Sequence, residues 1–228
     1  MLLLKKSMKF SNKPQLFIIT GSNGAGKSTY KQALLPPEFS DLEIFDGDIF
    51  YTRKSTEFYK INKSSKESRK LAEEALEEEF LRLVELSIHQ KSNFAYEGHF
   101  TGSGAWNIPK RFKQEDFEIH LIFCGLNSLI RSIQRVEMRV KKGGFHVTPL
   151  AIENNYYGNM EMLDKNFHIF NSVELIDTSN IIIPIGKLEF GIPVNAVPTG
   201  QIPDWLKIGM PLIFKAINAF NIETSNSV

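Results

Sequence analysis

The chain has 228 residues, 42% of them hydrophobic, with 27 lysines and arginines against 26 aspartates and glutamates. That length supports one sizeable α/β core rather than several domains. The near-neutral charge balance gives no electrostatic ground for a nucleic-acid track or an anionic membrane surface, and leaves a small molecule as the expected partner.

The N-terminal MLLLKKSMKF places three leucines before two lysines, too few for a signal-peptide core. No apolar run is long enough to span a membrane, so cytoplasmic residence is expected. Gln15 to Thr20 is a short apolar run between Pro14 and Gly21, which predicts a buried strand of a parallel sheet. A helix is expected from Lys27 to just before Pro36 and Pro37, which cannot continue it. LEIFDGD predicts a second strand ending in acid. The polar TRKSTEFYKINKSSKESRK has no clear period and reads as a mobile loop or frayed helix.

From Glu67 to Gln90 the pattern is helical, with Ala72, Leu76, Phe80, Leu83, Val84 and Ile88 on one face and glutamates opposite. SNFAYEGHF predicts a third strand ending at Glu97, and FEIHLIFCG a fourth. The single cysteine, Cys124, is expected as a buried thiol and rules out an internal disulfide. Leu126 to Lys142 predicts a helix with an apolar stripe of Leu126, Ile130, Ile133, Val136 and Val140, stopped by Gly143 and Gly144. Another helix follows Pro149, and SVELIDTS supplies a fifth strand. After Asn180 the texture changes to a hairpin and loop, IIIPIGKLEFGIPVNAVPTG, and a terminal helix interrupted by Pro211. The alternation predicts an α/β fold with a doubly wound parallel sheet. Residues 1–180 form its main domain, and 181–228 an extension packed on it.

One motif carries chemistry by itself. Gly21, Ser22, Asn23, Gly24, Ala25, Gly26, Lys27 and Ser28 fit the pattern of glycine, four residues, glycine, lysine and hydroxyl, and sit between a strand and a helix as that pattern requires. Glycines let backbone N–H groups close around phosphate oxygens, and the helix N-terminus adds its positive end. Lys27 reaches the outer phosphates, and Ser28 offers a ligand to Mg²⁺. The chain is therefore expected to bind a nucleoside triphosphate.

Asp46 and Asp48 are two apart at the end of the second strand, on one side of the chain if it stays extended. One suits Mg²⁺ held through water and the other a base for an attacking hydroxyl; an ordinary Asp-Gly turn is the competing reading. Glu97 closes the third strand with His99 two residues on. A metal site of Asp46, Asp48, Glu97 and His99 lacks a second histidine at ligand spacing, so substrate contact is preferred. Arg131, Arg135 and Arg139 recur every four residues, opposite the apolar stripe. They read either as a solvated face or as the approach to a glycine-hinged basic lid, VKKGGFHVT.

Together these pieces resemble the zeta-toxin family of P-loop kinases, whose motifs read here as GSNGAGKST, DGD, YEGHFTGSG and RVEMRVKKGGFHVTP over about Gln15 to Ser179. The resemblance implies an adenylate-kinase-like fold and a γ-phosphoryl transfer from ATP or GTP, with Mg²⁺, to a hydroxyl of a small molecule. It also implies roles. Asp48 becomes the general base with Asp46 in support, and Lys27, Ser28 and Thr29 serve the nucleotide. Glu97 and Thr101 take the substrate side, Arg135 faces the transferred phosphate, and Arg139 and His146 belong to the lid. Characterised members phosphorylate a UDP-activated amino sugar, and a relative modifies an antibiotic hydroxyl; an antitoxin protein is the other partner the resemblance allows.

Three departures from the family pattern stand out. Phe145 is inserted after the glycine pair, so that His146 stands where a second arginine is usual. Asn154 and Asn155 replace arginines before a tyrosine, and EGHFTG lacks the arginine that follows the acid in the cell-wall toxins. These departures keep a second function in view, a nucleotide-binding regulator with weak transfer. An ABC-type motor ATPase is disfavoured because its signature loop is missing.

Overall fold

The computed structural model describes residues 10–144 and 146–226, without the side chains of residues 31 and 32. A seven-stranded sheet runs through the molecule in the order β2-β3-β1-β4-β5-β6-β7. Strands β1 (Gln15–Gly21), β2 (Ile44–Asp46), β3 (Phe94–Glu97), β4 (Glu118–Gly125) and β5 (Ser172–Asp177) are parallel, while β6 (Ile183–Glu189) and β7 (Ile192–Ala196) form an antiparallel hairpin on β5. All seven residues of β1 are buried, as its unbroken apolar run requires at the centre of a parallel sheet.

Helices α1 (Lys27–Leu34), α2 (Gly47–Asn62), α3 (Ser65–Gln90), α4 (Asn107–Gln114), α5 (Leu129–Lys141) and α6 (Pro149–Asn166) connect the parallel strands. The chain leaves β1 for β2 and β3 on one side and returns to β4 on the other. That reversal opens a crevice at the carboxyl end of β1, where open α/β sheets collect ligands.

Three expectations need correction. The segment read as a loop or frayed helix is ordered as α2 and the start of α3. Asp46 closes β2 and accepts a hydrogen bond from the Ile49 amide at 3.1 Å, capping α2. Ser64 caps α3 by accepting from the Glu67 amide, and Lys63 turns the corner between the helices at φ 56°. Asp48 therefore sits in the first turn of a helix, and the extended Asp46–Asp48 pair does not exist. Finally, the apolar stripe expected on α5 is only partly buried: Leu126 and Val136 lie in the core with Ser132 beside them, whereas Ile130 is 68% exposed. The face turned to the phosphate loop carries Ser132 and Arg135, which donate to the Asn23 and Gly24 carbonyls.

Beyond β5 the hairpin extends the same sheet, and α7 (Asp204–Gly209) and α8 (Pro211–Ser225) pack back with Leu206, Ile213 and Ile217 fully buried. Met210 alone separates the two helices, as the proline at 211 predicts. The paired oxygens of Asp164 on α6 accept the Leu212 and Ile213 amides at 3.0 and 2.8 Å, satisfying the free N-terminus of α8. Trp205 stacks on Phe123 with ring centroids 5.6 Å apart. Its indole lies so close over Gly125 that a Cβ there would meet ring carbon at 2.3 Å.

Candidate active site

The phosphate loop leaves β1 at Gly21 and enters α1 at Lys27. Gly24 lies at φ 72°, and a Cβ on it would come within 2.9 Å of the Arg135 Cβ and 3.1 Å of the Ser132 carbonyl, so this loop must pack closely on α5. Three hydrogen bonds hold it there. Ser132 donates its hydroxyl to the Asn23 carbonyl at 2.6 Å, Arg135 donates to the Gly24 carbonyl at 3.1 Å, and Asn155 Nδ2 donates to Asn23 Oδ1 at 2.8 Å. The buried Lys27 ammonium donates to the Gly21 and Ser22 carbonyls at 3.1 and 3.0 Å. The Ser22 hydroxyl is buried with no hydrogen-bond partner among the described residues. A polar group left in that state is costly inside a protein and is a natural donor to a phosphate oxygen.

Acidic side chains gather at the same edge. In the sheet register Asp46 lies opposite Glu97, and Glu97 opposite Ile19 of β1. Glu97 accepts a hydrogen bond from the Ser28 hydroxyl at 3.1 Å and faces the Lys27 ammonium at 3.6 Å, so one carboxylate touches both functional side chains of the phosphate loop. Burial raises its pKa, opposed by Lys27 and reinforced by the charge of Asp46. Asp48 is raised for the same reasons, burial first and Asp46 second, while Lys27 and Arg139 pull it down. Two carboxyls that shun ionisation beside a lysine and an arginine are what a site for a polyanion and a proton acceptor requires.

These groups open onto a cavity of about 650 Å³, lined at one end by Ser28, Asp46, Asp48, Arg139, Gly143 and Gly144 and extending along α2 past Thr52, Thr56 and Lys60. The two arginines assigned from sequence part company here. Arg139 lines the cavity with Asp48. Arg135 is engaged with backbone carbonyls, donating to Thr178 at 3.0 Å and Ser179 at 2.7 Å as well as to Gly24. Gly144 is needed beside Arg139, because a Cβ there would meet the arginine's Cγ at 2.5 Å. Thr29 and Thr101 are exposed and His146 is exposed in the segment between α5 and α6; none of the three lines the cavity. Asn154 is exposed, whereas Asn155 reaches the phosphate loop itself, and the inserted Phe145 lies outside the described residues.

One polar centre escaped the sequence reading. Asn159, fully buried on α6, accepts the Phe100 amide at 2.6 Å and the Thr20 hydroxyl at 3.2 Å through Oδ1, and donates Nδ2 to the Asn155 carbonyl and to His99 Nδ1. An amide N–H can only donate, so the Phe100 contact fixes the orientation of the asparagine. Burial depresses His99 to about 3, keeping the ring neutral with Nδ1 as acceptor. A polar residue amid the apolar face of a helix was the available signal. Cys124 is buried as expected and its thiol is pushed up to about 12, far from a nucleophile.

The residues fit a nucleotide and Mg²⁺. The orphaned Ser22 hydroxyl and the close-packed Gly24 suit phosphate oxygens. Among the described residues no group of three or more histidine, cysteine or acidic side chains could hold a metal by itself. Magnesium does not require one, since it is held by one or two protein oxygens together with substrate phosphates and water. Ser28 and the neighbouring Asp46 and Asp48 supply oxygens of that kind along one cavity wall.

The family model for zeta toxin matches residues 2–183. The chain belongs to the zeta-toxin family. An uncharacterized protein of Haemophilus influenzae is 24% identical over 136 residues, covering 60% of this chain and 88% of that one. The fold is similar to a structure from the PezAT chromosomal toxin–antitoxin system of Streptococcus pneumoniae, with a TM-score of 0.52 at 20% identity, covering 79% of this chain and 75% of that one. It is also similar to AvrRxo1-ORF1:-ORF2 solved with ATP, with a TM-score of 0.59 at 12% identity, where it covers 78% of this chain and 59% of the other. At such identities the likeness establishes the fold, which is that of the P-loop kinase-like zeta toxins.

Proposed function

We propose that this zeta-toxin family member is an ATP- or GTP-dependent kinase that passes the γ-phosphoryl group to a hydroxyl of a small molecule. The observation that carries this reading is the meeting of the phosphate-loop Ser28, the carboxylate of Asp48 and the guanidinium-bearing Arg139 on one cavity. A phosphate loop alone is common to motors and switches. A basic carboxylate and an arginine opposite it, with an open groove leading away, are what transfer to a bound hydroxyl needs.

In this reading Lys27 turns from its own loop carbonyls to the outer phosphates, and Ser22 and the loop amides hold the remaining oxygens. Ser28 and an acid of the cavity wall would hold Mg²⁺, which would neutralise phosphate charge. Asp48 takes the proton of the acceptor hydroxyl as that oxygen bonds to the γ-phosphorus, and the bond to the β,γ-bridging oxygen breaks to release the diphosphate. Arg139 faces the charge that develops, the role that the family resemblance implied for Arg135. Glu97 keeps Lys27 and Ser28 in place, and His146 belongs to the segment that closes over the site.

The alternative, a nucleotide-binding regulator, draws on one observation: Asn155, at a position where relatives carry arginine, spends its side chain on the phosphate loop rather than offering a cation to the ligand. An antitoxin is proposed as a protein partner on the strength of one similar structure, which comes from a toxin–antitoxin system. The deciding experiment follows labelled γ-phosphate from Mg·ATP and Mg·GTP into a pool of small metabolites. Labelled product from the parent and none from Lys27→Ala, with nucleotide turnover lost in the variant, supports the kinase. Tight nucleotide binding by the parent with no labelled product favours the regulator.

A further inference from the structure

The family match ends at residue 183, yet a residue well beyond it is wired into the phosphate loop. Trp205 donates its indole N–H to Asp177 Oδ2 at 2.6 Å, from inside the core where both residues are buried. Asp177, at the end of β5, accepts the Ser179 amide at 2.8 Å and the Ser179 hydroxyl at 3.2 Å, shaping a tight turn. The carbonyl of Ser179 accepts from Arg135 at 2.7 Å, and the same guanidinium donates to Gly24 of the phosphate loop at 3.1 Å. Each link is a hydrogen bond, and one carboxylate serves both the turn and the indole, Oδ1 taking the Ser179 amide and Oδ2 the Ser179 hydroxyl and the Trp205 N–H.

We infer that Trp205 is a positioning residue for nucleotide binding: through Asp177 and the Ser179 turn it sets the guanidinium of Arg135, and through it the path of the phosphate loop at Gly24. The C-terminal segment is then a part of the nucleotide site, acting without touching the ligand. The inference rests on the proposed nucleotide site but not on the identity of the acceptor.

A structural role alone predicts a loss of stability without a selective change in nucleotide affinity, so the test compares two lesions in the same segment. Trp205→Phe keeps a stacked ring on Phe123 and removes the N–H. Asp164→Asn loosens the start of α8 and has no bond to the turn or the phosphate loop. Both full-length variants are measured for melting temperature and for the Kd of a fluorescent ATP analogue with Mg²⁺. We expect Trp205→Phe to raise the Kd about 3- to 10-fold, the effect of misplacing a hydrogen-bonded neighbour, while Asp164→Asn leaves it within about 2-fold despite an equal or larger fall in melting temperature. An unchanged Kd in Trp205→Phe, or equal rises in both variants, overturns the inference and leaves the kinase reading untouched. A parent protein that does not bind the analogue overturns both. If Trp205→Phe fails to fold, Asp177→Asn, which keeps the carbonyl oxygen for the turn, must show the same selective rise in Kd.

Discussion

Asp48 sits where function and stability pull apart. Its carboxyl is raised above the ordinary value of 3.8 by burial and by the charge of Asp46. In the window between 3.8 and that raised value the folded chain binds more protons than the unfolded one, so stability falls as pH rises through it and stays lower above it. Asp48→Asn should therefore raise the melting temperature of the nucleotide-free protein at pH 7, with the gain shrinking as pH is lowered toward 3.8. The same change should lower phosphoryl transfer by about 10² to 10⁴ while sparing nucleotide binding, and parent activity should climb with pH as this acid ionises. Parent-rate transfer by the variant would remove Asp48 from the reaction. The arginines give a second contrast. Arg139→Ala should lose transfer with little change in melting, whereas Arg135→Ala strands three carbonyls and should cost about 1–3 kcal/mol in denaturant unfolding. The phosphate loop was legible because its glycines and lysine are dictated by local geometry. Arg135 and Arg139 were not separable by pattern, since residues four apart lie on one helix face and only about 6 Å of rise decides which meets the cavity.

At the scale of elements, strands were the most legible part. Short apolar runs bounded by breakers mark β1, β3, β4 and β5, and each observed strand begins or ends within a few residues of its expected place. Helix α2 was hidden because it buries no residue fully and so has no apolar stripe to read. It is held by Asp46 at its start and by packing on α3, and the Ser64-to-Glu67 spacing was the one local sign that two helices meet there. The far end of α5 invites a measurement. Gly143, at φ 82°, and Gly144 end that helix with their amides on the Val140 and Arg139 carbonyls, and residues 141–144 are exposed. Hydrogen exchange at 141–144 and 146–147 should slow several-fold on adding Mg²⁺ and nucleotide, as the basic segment closes over phosphate. Equal exchange with and without ligand would make it a rigid turn.

For the whole molecule, the hairpin and the last two helices share one apolar core with the kinase-like part: Ile185, Leu188, Leu206 and Ile213 are buried with Leu175 and Phe123. Deleting residues 181–228 should therefore unfold the remainder rather than release a working domain, with loss of the cooperative melting transition as the readout. A soluble truncated chain that melts cooperatively and binds nucleotide would establish the boundary at 180 as a real one. Composition could place this segment after a change of texture, but not show what it packs on, because contacts between distant parts of a chain leave no period in the sequence.

The fit of Trp205 over Gly125 has a consequence for how such chains diverge. The indole occupies the space that any side chain at 125 would need, with a Cβ there only 2.3 Å from ring carbon. Neither residue is free to drift alone: a larger residue at 125 must await a smaller one at 205, and an indole can arrive only over a glycine. A chain that ended soon after a fifth strand would escape this coupling. Across an alignment, the position of Gly125 should vary freely in short chains and stay glycine wherever a tryptophan-bearing C-terminal segment is present, so that the pair records when the segment was gained or lost.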